Sequence, residues 1–315
     1  MHRLRSVWCR GTLNCESRSS NASAARFLHN SRAWRWLPHP PAPAAVAAPC
    51  HFRLFFCRTL ILQTVPNVGD GGMWMEFGLL VDVQLTEDYF TGIVDLKLER
   101  AEAKNAISKE MLRGLQNAIV EIDNDSSAKV VLVSSSIPRV FCAGADLKAL
   151  SVPTIAVIEG AALGGGLEMA LSCDLRICGE DAAFSMPETG LAIIPGAGGT
   201  QRLPRIVGRS LAKELIYTAR RFGGREALSM GLVNYCVPTG EAYTKALQIA
   251  RDINEKGPLA IKMAKKAIDE GMLQVKLSSA MSIEEECYAQ LLHSQDRLEG
   301  LAAFAEKRKP KYAGK

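Results

Sequence analysis

The chain has 315 residues, 48% hydrophobic and 23% charged. That balance suits a globular fold with one large domain, or one domain plus appendages. No apolar run reaches the roughly 18 residues of a membrane span; the longest candidate, residues 54–62, is interrupted by Arg58. The net charge of +5 conceals two unlike parts. Residues 1–69 hold nine Arg, no Lys and one acid, Glu16, for +8, whereas the remainder holds 29 basic and 32 acidic residues, for −3. The folded part therefore has no general electrostatic attraction for nucleic acid.

Residues 1–69 read as a transit peptide and linker. Arg3, Arg5, Arg10, Arg18, Arg26, Arg32 and Arg35 are spread among small and apolar residues, and a Pro/Ala stretch follows at 38–49. A disordered tail has the same composition, and mitochondrial and plastid addresses are poorly separated by it; the mitochondrial matrix is the expected location. Nine cysteines stand at 9, 15, 50, 57, 142, 173, 178, 236 and 287 without Cys-x-x-Cys or histidine partners. Free thiols are expected, and no metal site.

Residues 81–85 and 92–98 alternate apolar and polar side chains and predict a hairpin. Ser108 can cap a helix to about Asp123 with Met111, Leu115, Ile119 and Ile122 on one face. Residues 129–134 and 154–158 are short apolar runs of the kind buried in parallel sheets. Between them Phe141–Leu147 reads as a loop. Residues 159–166 form a glycine-rich link to a helix through about Ser172, and 174–178 a further strand. Residues 186–190 and 194–200 read as loops, then 211–218 and 225–230 as helical pieces. The last ninety or so residues read as wholly helical, with segments 241–255, 258–270, 283–292 and 296–307. Pro258 suits a helix start and Gly271 a helix end. No internal repeat is visible.

The run Gly164-Gly165-Gly166 before a helix lets a ligand approach the backbone and presents N–H groups to an anion. It is neither a P-loop nor a dinucleotide fingerprint. Alone it reads more readily as a tight strand-to-helix turn. With the 141–146 loop, it could aim two N–H groups at one oxygen, as in an oxyanion hole for a thioester becoming an enolate; from the residues alone, two unrelated loops are the readier reading. Glu168 opens the helix after the glycines and Glu188 lies in Pro187-Glu188-Thr189-Gly190. Two carboxylates around one water could activate it and protonate a carbon. By residue type alone, either is a surface charge.

Residues 155–174, continuing through 186–190 and 193–203, resemble the signature of the crotonase (enoyl-CoA hydratase/isomerase) superfamily. Residues 141–148 resemble its other oxyanion loop, and 296–308 its C-terminal helix. The resemblance covers about 80–315 and is strongest toward mitochondrial enoyl-CoA hydratases and AU-RNA-binding methylglutaconyl-CoA hydratases. It implies an α/β fold: a spiral of ββα units with an acyl-CoA-binding core at 77–225 and a helical oligomerisation region at 226–315. It implies that Ala145 and Gly165 form the oxyanion hole, that Glu168 activates water, and that Glu188 protonates the α-carbon in a syn addition. It places Ala143, Asp146 and Gly164 among the residues that bind the acyl-CoA substrate, and Lys104 and Lys148 at the CoA nucleotide, with Lys307 reaching the nucleotide from a neighbouring subunit of a homotrimer or homohexamer. CoA belongs to the substrate, so no cofactor is implied. Retention of both glutamates favours hydratase over isomerase.

Two further expectations follow. Lys262, Lys265 and Lys266 resemble an RNA-binding patch, although a solvated helix face explains them as well, and RNA is not expected as the main partner. More consequentially, the family carries roughly two dozen residues after Leu150 that this chain lacks. A parallel crossover takes about a dozen residues or more, while Lys148–Pro153 spans at most about 20 Å. Impaired folding and catalysis are expected, as in a shortened isoform that only assembles with intact subunits.

Overall fold

The computed structural model describes residues 65–66, 73–80, 83–88, 91–106, 108–142 and 150–315. In chain order the strands and helices are β1 (Val65–Pro66), β2 (Met73–Leu80), β3 (Val83–Asp88), β4 (Ile93–Leu98), α1 (Lys109–Asn124), β5 (Val130–Ser135), β6 (Arg139–Cys142), β7 (Thr154–Ile158), β8 (Gly160–Leu163) and α2 (Gly165–Ser172). There follow β9 (Leu175–Gly179), β10 (Ala183–Ser185), α3 (Gly199–Val207), α4 (Arg209–Thr218), β11 (Phe222–Gly223), α5 (Gly224–Ser229), β12 (Tyr235–Val237), α6 (Ala242–Asn254), α7 (Pro258–Gly271), α8 (Leu277–Ala289) and α9 (Gln295–Glu306).

Eight strands make one sheet in the order β1-β2-β3-β4-β5-β7-β9-β12, and four make a second in the order β11-β10-β8-β6. The first sheet is antiparallel through β4 and parallel from β4 to β12. Successive strands divide between the sheets: β5, β7 and β9 lie in the large one, and β6, β8 and β10 in the small one. The β7–β8 pair leads into α2, and β9–β10 leads through a 3-10 turn into α3. Only residues 143–153 separate β6 from β7. This ββα geometry recurs without any repeat in the residues, because a buried strand asks only for apolar side chains.

Strands β5 and β7 are buried on both faces, which is why they read as unbroken apolar runs. One face joins β4 and β5 to α1, α2 and the small sheet. The other packs Ile93, Val130, Leu132, Ile155, Val157 and Ile177 against Ala242, Ala246, Leu247 and Ala250 of α6. Alanines four apart let α6 lie close to the sheet.

Helix α1 begins as predicted: the Ser108 side chain accepts a hydrogen bond from the Met111 N–H at 3.0 Å, and Met111, Leu115 and Ile122 are buried. Ser108→Ala is expected to cost about 0.5–2 kcal/mol, seen as a lower denaturant midpoint at unchanged slope.

Several boundaries differ from the sequence reading. The hairpin forms, but its first strand runs to Asp88, which pairs with Ile93; position 81 lies outside the described residues. Phe141 and Cys142 close β6 rather than opening a loop. Gly160–Leu163 is a strand, because the small sheet supplies partners on both sides. Residues 187–191 form a 3-10 turn, and Gly199 starts a helix that no periodicity announced. The third C-terminal helix runs 277–289 instead of 283–292. The C-terminal part is not wholly helical, since Tyr235–Val237 adds an edge strand beside β9. Lys265 leaves the expected basic patch: its Nζ is 2.7 Å from Asp174 and donates to the Val152 carbonyl at 2.8 Å. That side chain is committed internally.

Candidate active site

Glu168 sits in the first turn of α2, placed there by Gly164, which caps the helix at φ +54°. Glycine takes that conformation without the cost a Cβ would bring. Gly165 is the first helical residue, where N–H groups lack partners within the helix. At the other end of α2, buried Arg176 donates to the carbonyls of Cys173 at 2.7 Å and Ala170 at 3.4 Å, and its Nε bonds Leu232 at 2.7 Å. A cation at the helix C-terminus fixes the helix axially.

The Glu168 carboxylate is 3% exposed. Its Oε1 accepts hydrogen bonds from the Ala197 N–H at 2.8 Å and the Gly199 N–H at 2.7 Å. Gly199 has no room for a side chain: a Cβ there would lie 2.9 Å from Pro195 Cβ and 3.0 Å from Glu168 Oε1. Ala197 and Gly199 were missed as holders of the glutamate. The glycine density of residues 195–199 was the available signal, but it does not say which side chain the loop embraces.

Glu188 comes from the 3-10 turn after β10 and is 8% exposed. Its Oε2 is buried without a hydrogen-bond partner among the described residues. Burial, assisted by the charge of Glu168, pushes its carboxyl above the usual carboxylate range, against a backbone hydrogen bond that lowers it. Its Oε1 lies 3.0 Å from where a Cβ on Gly164 would be. Glu168, Glu188, Gly164 and Gly165 are thus one cluster. One carboxylate is oriented by two N–H groups, and the other is held toward its protonated form.

Ala143, Ala145, Asp146 and Lys148 lie outside the described residues. The strand that leads to them is anchored by Asn105, a residue the sequence reading did not single out. Fully buried at φ +55°, it donates from Nδ2 to the Phe141 carbonyl at 2.9 Å and to Ser135 Oγ at 2.8 Å, and accepts from the Arg100 N–H at 2.8 Å. Lys104, beside it, is exposed at the end of a 3-10 turn, and Lys307 is exposed at the C-cap of α9.

Two buried glutamates, one from the first turn of α2 and one from the 3-10 turn after β10, meet in this ββα fold. The family model for enoyl-CoA hydratase/isomerase matches residues 89–152 and 147–315. The chain is similar to the Arabidopsis thaliana protein named probable enoyl-CoA hydratase 2, mitochondrial, with 56% identity over 283 positions, covering 82% of this chain and 90% of that one. It is similar to the Homo sapiens methylglutaconyl-CoA hydratase, mitochondrial, at 44% identity, covering 74% and 77%. Among solved structures, an enoyl-CoA hydratase from Bacillus anthracis superposes with TM-score 0.70 at 41% identity, covering 74% of this chain and all of that one. The chain belongs to the enoyl-CoA hydratase/isomerase family.

The match is broken at the short junction, since the family model fits in two pieces that meet at 147–152. The Arabidopsis comparison runs over 283 positions, yet 82% of 315 residues is about 258, so about 25 positions of the relative face no residue here.

Proposed function

We propose that the chain is an enoyl-CoA hydratase adding water syn across a 2-enoyl-CoA thioester. The observation that carries the reading is the pair of buried glutamates in opposite environments. Glu168, held by Ala197 and Gly199, is set to take a proton from water. Glu188, whose proton affinity burial raises, is the candidate to deliver a proton to the α-carbon. The backbone N–H groups of Ala145 and Gly165 would receive the enolate oxygen. Ala143, Asp146 and Gly164 would bind the acyl-CoA substrate, and Lys104 and Lys148 its nucleotide, with Lys307 supplied by a neighbouring copy in a trimer or hexamer. The relatives' names support a mitochondrial location, with residues 1–69 as a transit peptide and the matrix as destination.

A 2-enoyl group from fatty-acid β-oxidation and a methylglutaconyl group from leucine breakdown both fit this chemistry. Hydration of crotonyl-CoA and 3-methylglutaconyl-CoA by the purified chain, compared as kcat/KM, decides between them; turnover of neither would sink the reading of an active hydratase. The internal commitment of Lys265 weakens the case for RNA as a ligand. A second reading, an impaired chain that assembles with intact subunits, is favoured by the break at 147–152. Co-purification with a full-length relative tests it.

Gly199→Ala is expected to lower kcat about a hundredfold with the fold retained, because the added methyl displaces the Glu168 carboxylate and about 1 Å of misplacement has that effect. Stopped assays beside a circular-dichroism melt check it.

A further inference from the structure

Away from the two glutamates, the edge strand β12 brings two thiols together. Cys236 of β12 is in register with Cys178 of β9. Neighbouring strands lie about 4.8 Å apart, and residues in register on a parallel pair project to the same face. That separation falls within the roughly 4.4–6.8 Å between Cα atoms that a disulfide spans. Both sulfurs abut the first residue of α5: a Cβ on Gly224 would lie 3.0 Å from Cys236 Sγ and 3.1 Å from Cys178 Sγ. The two are therefore within reach of one another, and both are free thiols.

Their surroundings differ in a way that sets an order of attack. Cys178 is fully buried, and Cys236 is partly open to solvent. Burial first, then the Cys236 thiol and the Glu159 and Asp181 carboxylates, push the Cys178 thiol up. Cys236 stands on the edge strand of the large sheet, where a dissolved disulfide can reach it first. The outer thiol is the nucleophile and the inner one resolves.

We propose that Cys178 and Cys236 are a thiol–disulfide exchange site whose co-reactant is a small disulfide of the glutathione class. Cys236 loses its proton to water, which returns it to the last glutathione released, and the Cys236 thiolate attacks one sulfur of oxidised glutathione, forming a mixed disulfide and releasing one glutathione thiolate. Cys178 then gives up its proton to that thiolate, and its sulfur attacks Cys236 Sγ and expels the second glutathione. Two protein thiols are oxidised, one glutathione disulfide is reduced to two thiols, and the product bond staples β12 to β9. Nothing in this chemistry uses Glu168 or Glu188.

The test is exposure of the folded, reduced full chain to oxidised glutathione, followed by acid quench, N-ethylmaleimide blocking and peptide mapping. The expected result is a cross-linked peptide joining Cys178 to Cys236 that dithiothreitol releases, with Cys142, Cys173 and Cys287 still blocked by maleimide. Cys236→Ser is expected to abolish the cross-link. Cys178→Ala is expected to leave a persistent glutathione adduct on Cys236. A persistent adduct in the parent chain, or no reaction at either thiol, overturns the proposal. Because Cys236 is at the sheet edge, its variant decides the question even where Cys178→Ala fails to fold.

Discussion

Replacing Glu188 by Gln is expected to lower kcat for crotonyl-CoA hydration by about 10²–10⁴-fold, the usual contribution of a positioned general acid. The side chain keeps its size and its place in the 3-10 turn, so the loss reports the missing proton and not a collapsed site. Its pH signature has a definite sign. Burial holds the Glu188 carboxyl above its ordinary value, so the folded chain binds that proton more tightly than the unfolded chain does. As pH rises from the ordinary carboxylate range through the raised folded value, the proton is lost. The acid-dependent step declines on the alkaline side, and stability declines over the same window. The Gln variant carries no such proton, so its melting temperature varies less with pH across that window. Equal turnover by parent and variant would remove Glu188 from the chemistry. Equal pH dependence of melting would show that the fold does not raise the proton affinity of this carboxyl.

Grafting the corresponding segment of the Arabidopsis relative into the 143–153 junction is expected to raise kcat/KM by about a hundredfold. The argument lies in the two anchors of the junction. On the near side Asn105 grips the Phe141 carbonyl. On the far side Leu150 and Val152 are buried in the main core, the Val152 carbonyl is held by Lys265, and the Ser151 N–H is 3.4 Å from Asp123 Oδ1. Neither end can move without losing core packing. Between these two anchors lies Ala145, beside the break in the family match at 147–152. A donor misplaced by about 1 Å loses about a hundredfold in rate, and the graft restores that. Unchanged activity in the graft would mean that the short junction positions Ala145 as well as the long one. Activity in the graft alone would identify the parent chain as the impaired form.

Much of this was legible in the residues, for identifiable reasons. The strands at 130–135 and 154–158 are buried on both faces, so their apolar runs follow directly from their environment. Helix α1 carries its own start signal in Ser108. The two glutamates stand out in the sequence because the motifs around them are specific, not because of any property of a glutamate. The shortfall after Leu150 was visible as a length too small for a crossover.

Other features depend on partners distant in the chain, and only the folded arrangement could decide them. Gly160–Leu163 becomes a strand because β6 and β10 flank it. Residues 235–237 become a strand because β9 has an open edge. Lys265 is an ion-pair partner and not a surface charge because Asp174 lies 91 positions away in sequence and 2.7 Å away in space. The opposite characters of Glu168 and Glu188 have the same origin. Two N–H groups from the 195–199 loop reach one carboxylate and none reaches Oε2 of the other. Short-range sequence can specify local conformation and burial. The electrostatic character of a side chain is set by whatever the fold brings beside it.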